Sequence, residues 1–189
     1  VPSQHQKNQL SGIAAEKKIV VAPNIIDSEV FNFKSKKKKE KIVFLMVAKF
    51  NYPKRPDLVI KALSGIYSKD EFPFELRIIG GGPELEKALK SVQKKTLPFT
   101  LLGFQPKKVI AKELQDSDFF LHPTDSETFG IVVNEALSTG TPILASQIPA
   151  FKERIDPSDG ILVENDIESW IAGIRSIMKE QFDHEEISN

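Results

Sequence analysis

The stretch Glu127-Thr128-Phe129-Gly130-Ile131-Val132-Val133-Asn134-Glu135 decides how this chain is read. Before it lies a short apolar run, Phe119-Phe120-Leu121, ended by His122-Pro123. After it come Ser138-Thr139-Gly140-Thr141-Pro142 and then Ile143-Leu144-Ala145. The two apolar runs read as buried strands, and residues from about Phe129 to Ser138 read as the helix between them. Gly140 is placed to close that helix with a left-handed residue, and Pro142 stops its continuation. Two carboxylates therefore flank a helix start that follows a strand. Eight helical steps would separate them by roughly 12 Å along the axis. That span suits an extended ligand with a hydroxylated group at each end, because carboxylates offer only acceptors. The helix start between them offers free N–H groups and a positive dipole end, which suit a phosphate. The plainer alternative is a loop Glu127 and a Glu135 on a solvated helix face, and these residues alone leave both open.

Working outward, the 189 residues are enough for one substantial domain. Lys plus Arg is 26 and Asp plus Glu is 26, so nothing global argues for nucleic acid or an anionic membrane as partner. The absence of cysteine excludes disulfides, thiolate metal sites and a thiol nucleophile, and is compatible with a reducing cytoplasm. The longest apolar run, Ile42 to Ala48, is too short to span a bilayer. The N-terminus has neither the pattern of a signal peptide nor an initiator Met, so a processed or excised chain is expected.

From Lys41 onward the pattern is regular. Strands are expected at 42–48, 74–79, 99–102, 118–121, 142–145 and 161–163, with helices at 56–68, 84–95, 106–115, 129–138 and from 166 or 167 to 179. Residues 151–155 read as a short helical turn. Upstream, Val1 to Lys18 is mostly polar, Ile19-Val20-Val21-Ala22 is a strand candidate, and Lys36–Lys39 reads as a solvated loop, with a phosphate patch as the sharper option. Strand and helix alternate with short connections. This pattern predicts an α/β Rossmann-like parallel sheet of about six strands with helices on both faces.

In such sheets ligands bind beyond the carboxyl ends of the strands. The residues found there are Lys49, Lys54 and Arg55, the glycines Gly80, Gly81 and Gly82, the turn Gly103-Phe104-Gln105, and His122 to Phe129. The cations can meet a diphosphate. The glycines allow close backbone approach, although their spacing is neither a dinucleotide fingerprint nor a P-loop. Asp116-Ser117-Asp118 falls at the amino end of a strand, the wrong end for a metal–nucleotide site. His122 reads as a packed histidine in preference to a general base. Ser64, Ser126 and Ser146 lack His and Asp partners and a nucleophile elbow, so a serine hydrolase is rejected.

Taken together these segments resemble the C-terminal domain of retaining glycosyltransferases of the GT-B fold, the group 1 or family 4-like class. Pro23-Asn24-Ile25-Ile26-Asp27 resembles its Pro-Asn-Gly-hydrophobic-Asp stretch, with Ile where Gly is usual. Val47-Ala48-Lys49-Phe50 through Lys54-Arg55-Pro56-Asp57 resembles its basic segment, with Lys49 for Arg. Ile79 to Pro83 matches its glycine loop, Leu102-Gly103-Phe104 the turn near the base, and His122 through Leu137 with Gly140-Thr141-Pro142 its E-x7-E segment. The family's glycine pair after the fifth strand is replaced by Gln147-Ile148-Pro149-Ala150, with Glu153 downstream.

The resemblance implies one half of a GT-B fold that binds a nucleotide-sugar donor, with retention of anomeric configuration and no bound metal or other cofactor. It casts Glu127 as the catalytic carboxylate facing the donor sugar and Glu135 as the grip on the ribose hydroxyls. Lys49 and Lys54 would take the diphosphate, the backbone amides of Phe129, Gly130 and Ile131 the phosphate and sugar, and Gly81 and Phe104 would complete the donor site. It further implies residues 1–40 as the end of a preceding acceptor domain and linker, 41–180 as the nucleotide-sugar-binding domain and 181–189 as a tail. The full-length enzyme would be cytoplasmic and would touch the inner face of a membrane through its other domain. Alone, this piece would transfer little sugar, since catalysis needs both walls of the cleft. The alternative on the same fold is a non-catalytic nucleotide-sugar-binding module; an epimerase or a receiver domain is the more distant analogy.

Overall fold

The computed structural model describes residues 1, 3–11, 13, 19–22, 24–36, 39–67, 73–92 and 97–188. Its sheet has six parallel strands in the order β3-β2-β1-β4-β5-β6. The strands are β1 (Ile42–Lys49), β2 (Phe74–Gly81), β3 (Phe99–Gly103), β4 (Phe119–His122), β5 (Ile143–Ser146) and β6 (Gly160–Val163). The helices are α1 (Gln4–Leu10), α2 (Pro56–Ile66), α3 (Pro83–Lys90), α4 (Lys107–Gln115), α5 (Ile131–Ser138), α6 (Pro149–Lys152), α7 (Ile167–Ile177) and α8 (His184–Ser188).

The central strands are apolar on both faces because both are covered. Phe44, Met46, Leu121 and Leu144 point to one side, where Leu58, Val59 and Leu63 of α2, Leu85 of α3 and Trp170 and Ile174 of α7 pack. Their neighbours Leu45, Val47, Phe120, Ile143 and Ala145 point to the other, against Ala111 and Leu114 of α4, Val133 and Ala136 of α5 and Phe151 of α6. The strand period of two thus builds two cores on one sheet. Each of the larger aliphatic and Phe side chains among them contributes about 1.5–3 kcal/mol by leaving water.

The expected elements fall where the pattern puts them, with small changes at the ends. α5 starts at Ile131, two residues later than expected, because Gly130 takes a left-handed conformation (φ 68°) at the N-cap. Gly140, at φ 67°, closes the same helix as predicted. α2 stops at Ile66 and α3 at Lys90; Ser68 and residues 93–95 of the expected helices lie outside the described residues. The strand expected at Ile19–Ala22 is a correction: these residues join no sheet. They bond instead to the start of the chain, Val1 N to Val20 O (2.9 Å) and Ala22 N to Val1 O (2.8 Å). An apolar run becomes a strand only where an edge accepts it, and the edges here are β3 and β6.

The flanking segments are built into the domain. Phe31 is 2% exposed and sits in the second core. The Lys36 ammonium donates to the Ser117 carbonyl and to Thr141 Oγ1. At the other end Ile187 of α8 is buried, and His184 Nδ1 lies 2.8 Å from the Gly140 carbonyl.

Candidate active site

The carboxyl ends of β1, β2 and β4 open onto a cavity of about 610 Å³. Lys49, Lys54, Phe104, Glu127, Gly130 and Glu135 all line it, with Phe129 and Ile131 beside them. The two carboxylates and the two lysines of the sequence reading therefore share one hollow. Gly81 does not line it; Gly80 does. Gly80 runs so close to β1 that a Cβ would lie 1.8 Å from the Ala48 carbonyl oxygen, whereas Gly81 sits under the Phe104 ring. Arg55 is also turned away from the cavity, with Nε 2.9 Å from Asp57 Oδ1 and Nη1 3.1 Å from Asp125 Oδ1.

The loop carrying Glu127 is pinned from below. Thr124 N–H donates to Ser146 Oγ (2.8 Å), Ser146 donates to Asn165 Oδ1 (2.6 Å), and the Asn165 amide returns to the Thr124 carbonyl (2.9 Å). Ser146 is thus a brace for the site. A Cβ at Gly130 would stand tightly, 3.0 Å from both Glu127 Cγ and Phe151 Cε1, at a φ of 68° that favours glycine.

The two carboxylates differ in electrostatic setting. Glu127 is ion-paired to the Lys54 ammonium. Burial pushes its pKa up, but the Lys54 ammonium outweighs burial and holds it below the usual carboxylate range. Lys54 Nζ also lies 3.3 Å from His122 Nε2. An ammonium has only donors, so this nitrogen must accept and the ring is neutral. The Glu127 oxygen is 3.6 Å away, beyond hydrogen-bond range, so the Lys54 contact sets the tautomer. Burial lowers the His122 pKa from 6.5 to about 4. His122 packs on Phe120 and Phe151 as expected of a structural histidine, yet it also steers Lys54.

Glu135 is the opposite case. It is 8% exposed, and burial pushes its pKa up, with Lys107 opposing weakly. No hydrogen bond or ion pair reaches its carboxylate among the described residues. Its oxygens face the cavity, where water or a ligand can donate to them. Lys49, exposed at the end of β1, likewise has no ion-pair partner among the described residues.

Sequence reasoning missed Arg154. Its guanidinium donates to the Phe129 carbonyl and to Asn134 Oδ1 (2.8 Å) and covers the Phe129 ring at 4.3 Å. No spacing signals this, because α6 reaches α5 only through the folded sheet. A second, polar hollow of about 400 Å³ opens on the other side of the Glu127 loop; it shares Lys54, Glu127 and Thr128 with the first and is bounded by His5, Gln6 and Gln9 of α1.

A six-stranded parallel sheet with helices on both faces and a cavity at its carboxyl edge defines an α/β, Rossmann-like domain. The chain belongs to the family of glycosyl transferases group 1, whose model matches residues 27–189. It is 26% identical over 149 residues to the D-inositol 3-phosphate glycosyltransferase of Geodermatophilus obscurus, covering 72% of this chain and 33% of that protein. It is 32% identical over 173 residues to the Escherichia coli UDP-Gal:alpha-D-GlcNAc-diphosphoundecaprenol alpha-1,3-galactosyltransferase, covering 82% of this chain and 43% of the relative. Among solved structures, Anabaena HepE in complex with UDP and glucose superposes with a TM-score of 0.82 at 16% identity, covering 100% of this chain and 56% of that one. The chain spans about a third of the length of the first of these relatives.

Proposed function

We propose that this chain is the donor-binding half of a retaining glycosyltransferase that moves a hexose-type sugar from a nucleoside diphosphate to an acceptor. The observation that carries this is Glu135: a largely buried side chain whose carboxylate takes no hydrogen bond from a described residue and faces the same cavity as the lysine-paired Glu127 and the unpaired Lys49. Ribose hydroxyls would supply the donors that Glu135 lacks. Phe104 and Gly80 would frame the base. Lys49, Lys54 and the N–H groups at the start of α5 would meet the diphosphate, where negative charge accumulates as the glycosidic bond breaks. Glu127, held ionised, would face the sugar and the second hollow, from which the acceptor hydroxyl arrives. The remaining length found in the relatives is assigned to an acceptor-binding domain.

Two lysines and a helix start supply the positive charge without a metal. Addition of EDTA should therefore leave nucleotide affinity unchanged; a collapse of binding on chelation contradicts the metal-free site. Turnover by the full-length protein, assayed with a panel of nucleotide sugars and acceptors, tests the proposal, with Glu127→Ala as control. The expected result is transfer that Glu127→Ala abolishes, and little transfer by this chain alone. Nucleotide binding with no transfer by the full-length protein to any acceptor favours a non-catalytic binding module.

A further inference from the structure

We propose that Arg154 is a positioning residue of the donor site: it fixes the Phe129–Gly130 peptide so that the Gly130 N–H is presented to the phosphates of a nucleoside diphosphate. This rests on the donor-site reading above. Arg154 is not part of the cavity wall, and it follows α6, a four-residue helix. Its guanidinium nevertheless binds three segments at once. Nε donates to the Ala150 carbonyl (3.0 Å), Nη1 to Asn134 Oδ1 in the first turn of α5 (2.8 Å), and Nη2 to the Phe129 carbonyl. The guanidinium carbon lies over the Phe129 ring, 4.3 Å from its centroid, and 5.7 Å from that of Phe151.

The grip on the Phe129 carbonyl has a geometric consequence. In a trans peptide the C=O and the next N–H point in opposite directions. Holding the Phe129 oxygen on the Arg154 side therefore turns the Gly130 N–H to the other side, and Gly130 forms part of the cavity wall. Gly130 has φ 68°, and no bond from its N–H is made to any described residue. Without the guanidinium the peptide has no anchor on its carbonyl and is free to rotate at the glycine, which tolerates many conformations. An apolar side chain would fill the space between Phe129 and Phe151 as well as Arg154 does. Only a fork of donors ties a carbonyl and an amide side chain together.

The test compares Arg154→Met, which keeps length and apolar contact, with Arg154→Lys, which keeps charge but offers one point of contact. Binding of UDP and of uridine is followed by 1H–15N correlation spectra, with ADP and GDP as further probes. Arg154→Met should weaken UDP about tenfold, the effect of one hydrogen bond to a charged group, while uridine affinity stays within about twofold because the nucleoside lacks the phosphates. The shift of the Gly130 amide on UDP addition should shrink, and Arg154→Lys should recover part of both. A brace with no role in binding predicts otherwise: UDP and uridine would weaken together, or not at all, and either outcome overturns the proposal. If Arg154→Met fails to melt cooperatively, the Arg154→Lys comparison decides by the same ratio. Wild-type protein that binds none of the three nucleoside diphosphates overturns the donor-site reading and this proposal with it, whereas intact wild-type binding with an unchanged UDP to uridine ratio overturns this proposal alone.

Discussion

At the scale of single residues, the site rests on carboxylates and a histidine held in opposed states. Glu135 is held protonation-prone by burial. Its folded pKa lies above the unfolded one, so the folded state binds more protons and Glu135 detracts from stability as pH rises through that range. Glu135→Gln should therefore raise the melting temperature of the free protein at pH 7 while weakening nucleotide binding about tenfold; a melting temperature that falls contradicts the assignment. His122 has its folded pKa near 4 and an ordinary value of 6.5. The unfolded state binds the extra proton between these values, so stability is complete above pH 6.5 and falls as pH drops toward 4. The depression amounts to about 3 kcal/mol over that window. Denaturation curves across it should show the slope in the wild type and a flatter one in His122→Gln.

At the scale of elements, the start of α5 depends on the conformation of Gly130. Gly130→Ala forces a Cβ against Glu127 and Phe151 at φ 68°. It should cost about 1–3 kcal/mol of stability and displace Glu127; calorimetric melting together with nucleotide titration would show both, and an unperturbed variant would contradict the cap geometry. The strands and helices around it were legible in the sequence because their apolar periods are local. So was the helix start with its two carboxylates, since loop and helix are contiguous. What the sequence did not disclose is non-local: Lys54 reaching His122 and Glu127 across two strand ends, Gly80 taking the place expected for Gly81, and Arg154 arriving from the turn after β5. The run Ile19–Ala22 was misread because its apolar, β-branched residues satisfy strand propensity, which says nothing about whether a sheet edge is available.

At the scale of the whole molecule, the two faces of the sheet do different work. One packs α2, α3 and α7 around Trp170, which is fully buried far along the chain from the carboxylates. Trp170→Ala should cost about 3–5 kcal/mol by leaving a cavity, with nucleotide affinity preserved in the fraction that remains folded. The other face carries α4, α5 and α6 and, at its carboxyl edge, the cavity lined by Glu127 and Glu135. The opposite pole is closed by Lys36, Thr141 and the His184–Gly140 contact, and its carboxylate Asp118 is already ion-paired to Lys39 (3.4 Å). The most direct measurement is a 1H–15N titration of the chain with UDP, ADP and GDP. Binding by at least one of them, with the largest shifts at Lys49, Gly130, Ile131 and Glu135 and with affinity reduced by Glu135→Ala, is what the proposed donor role of this cavity predicts. Absence of binding, or shifts confined to the pole around Lys36 and His184, would contradict it.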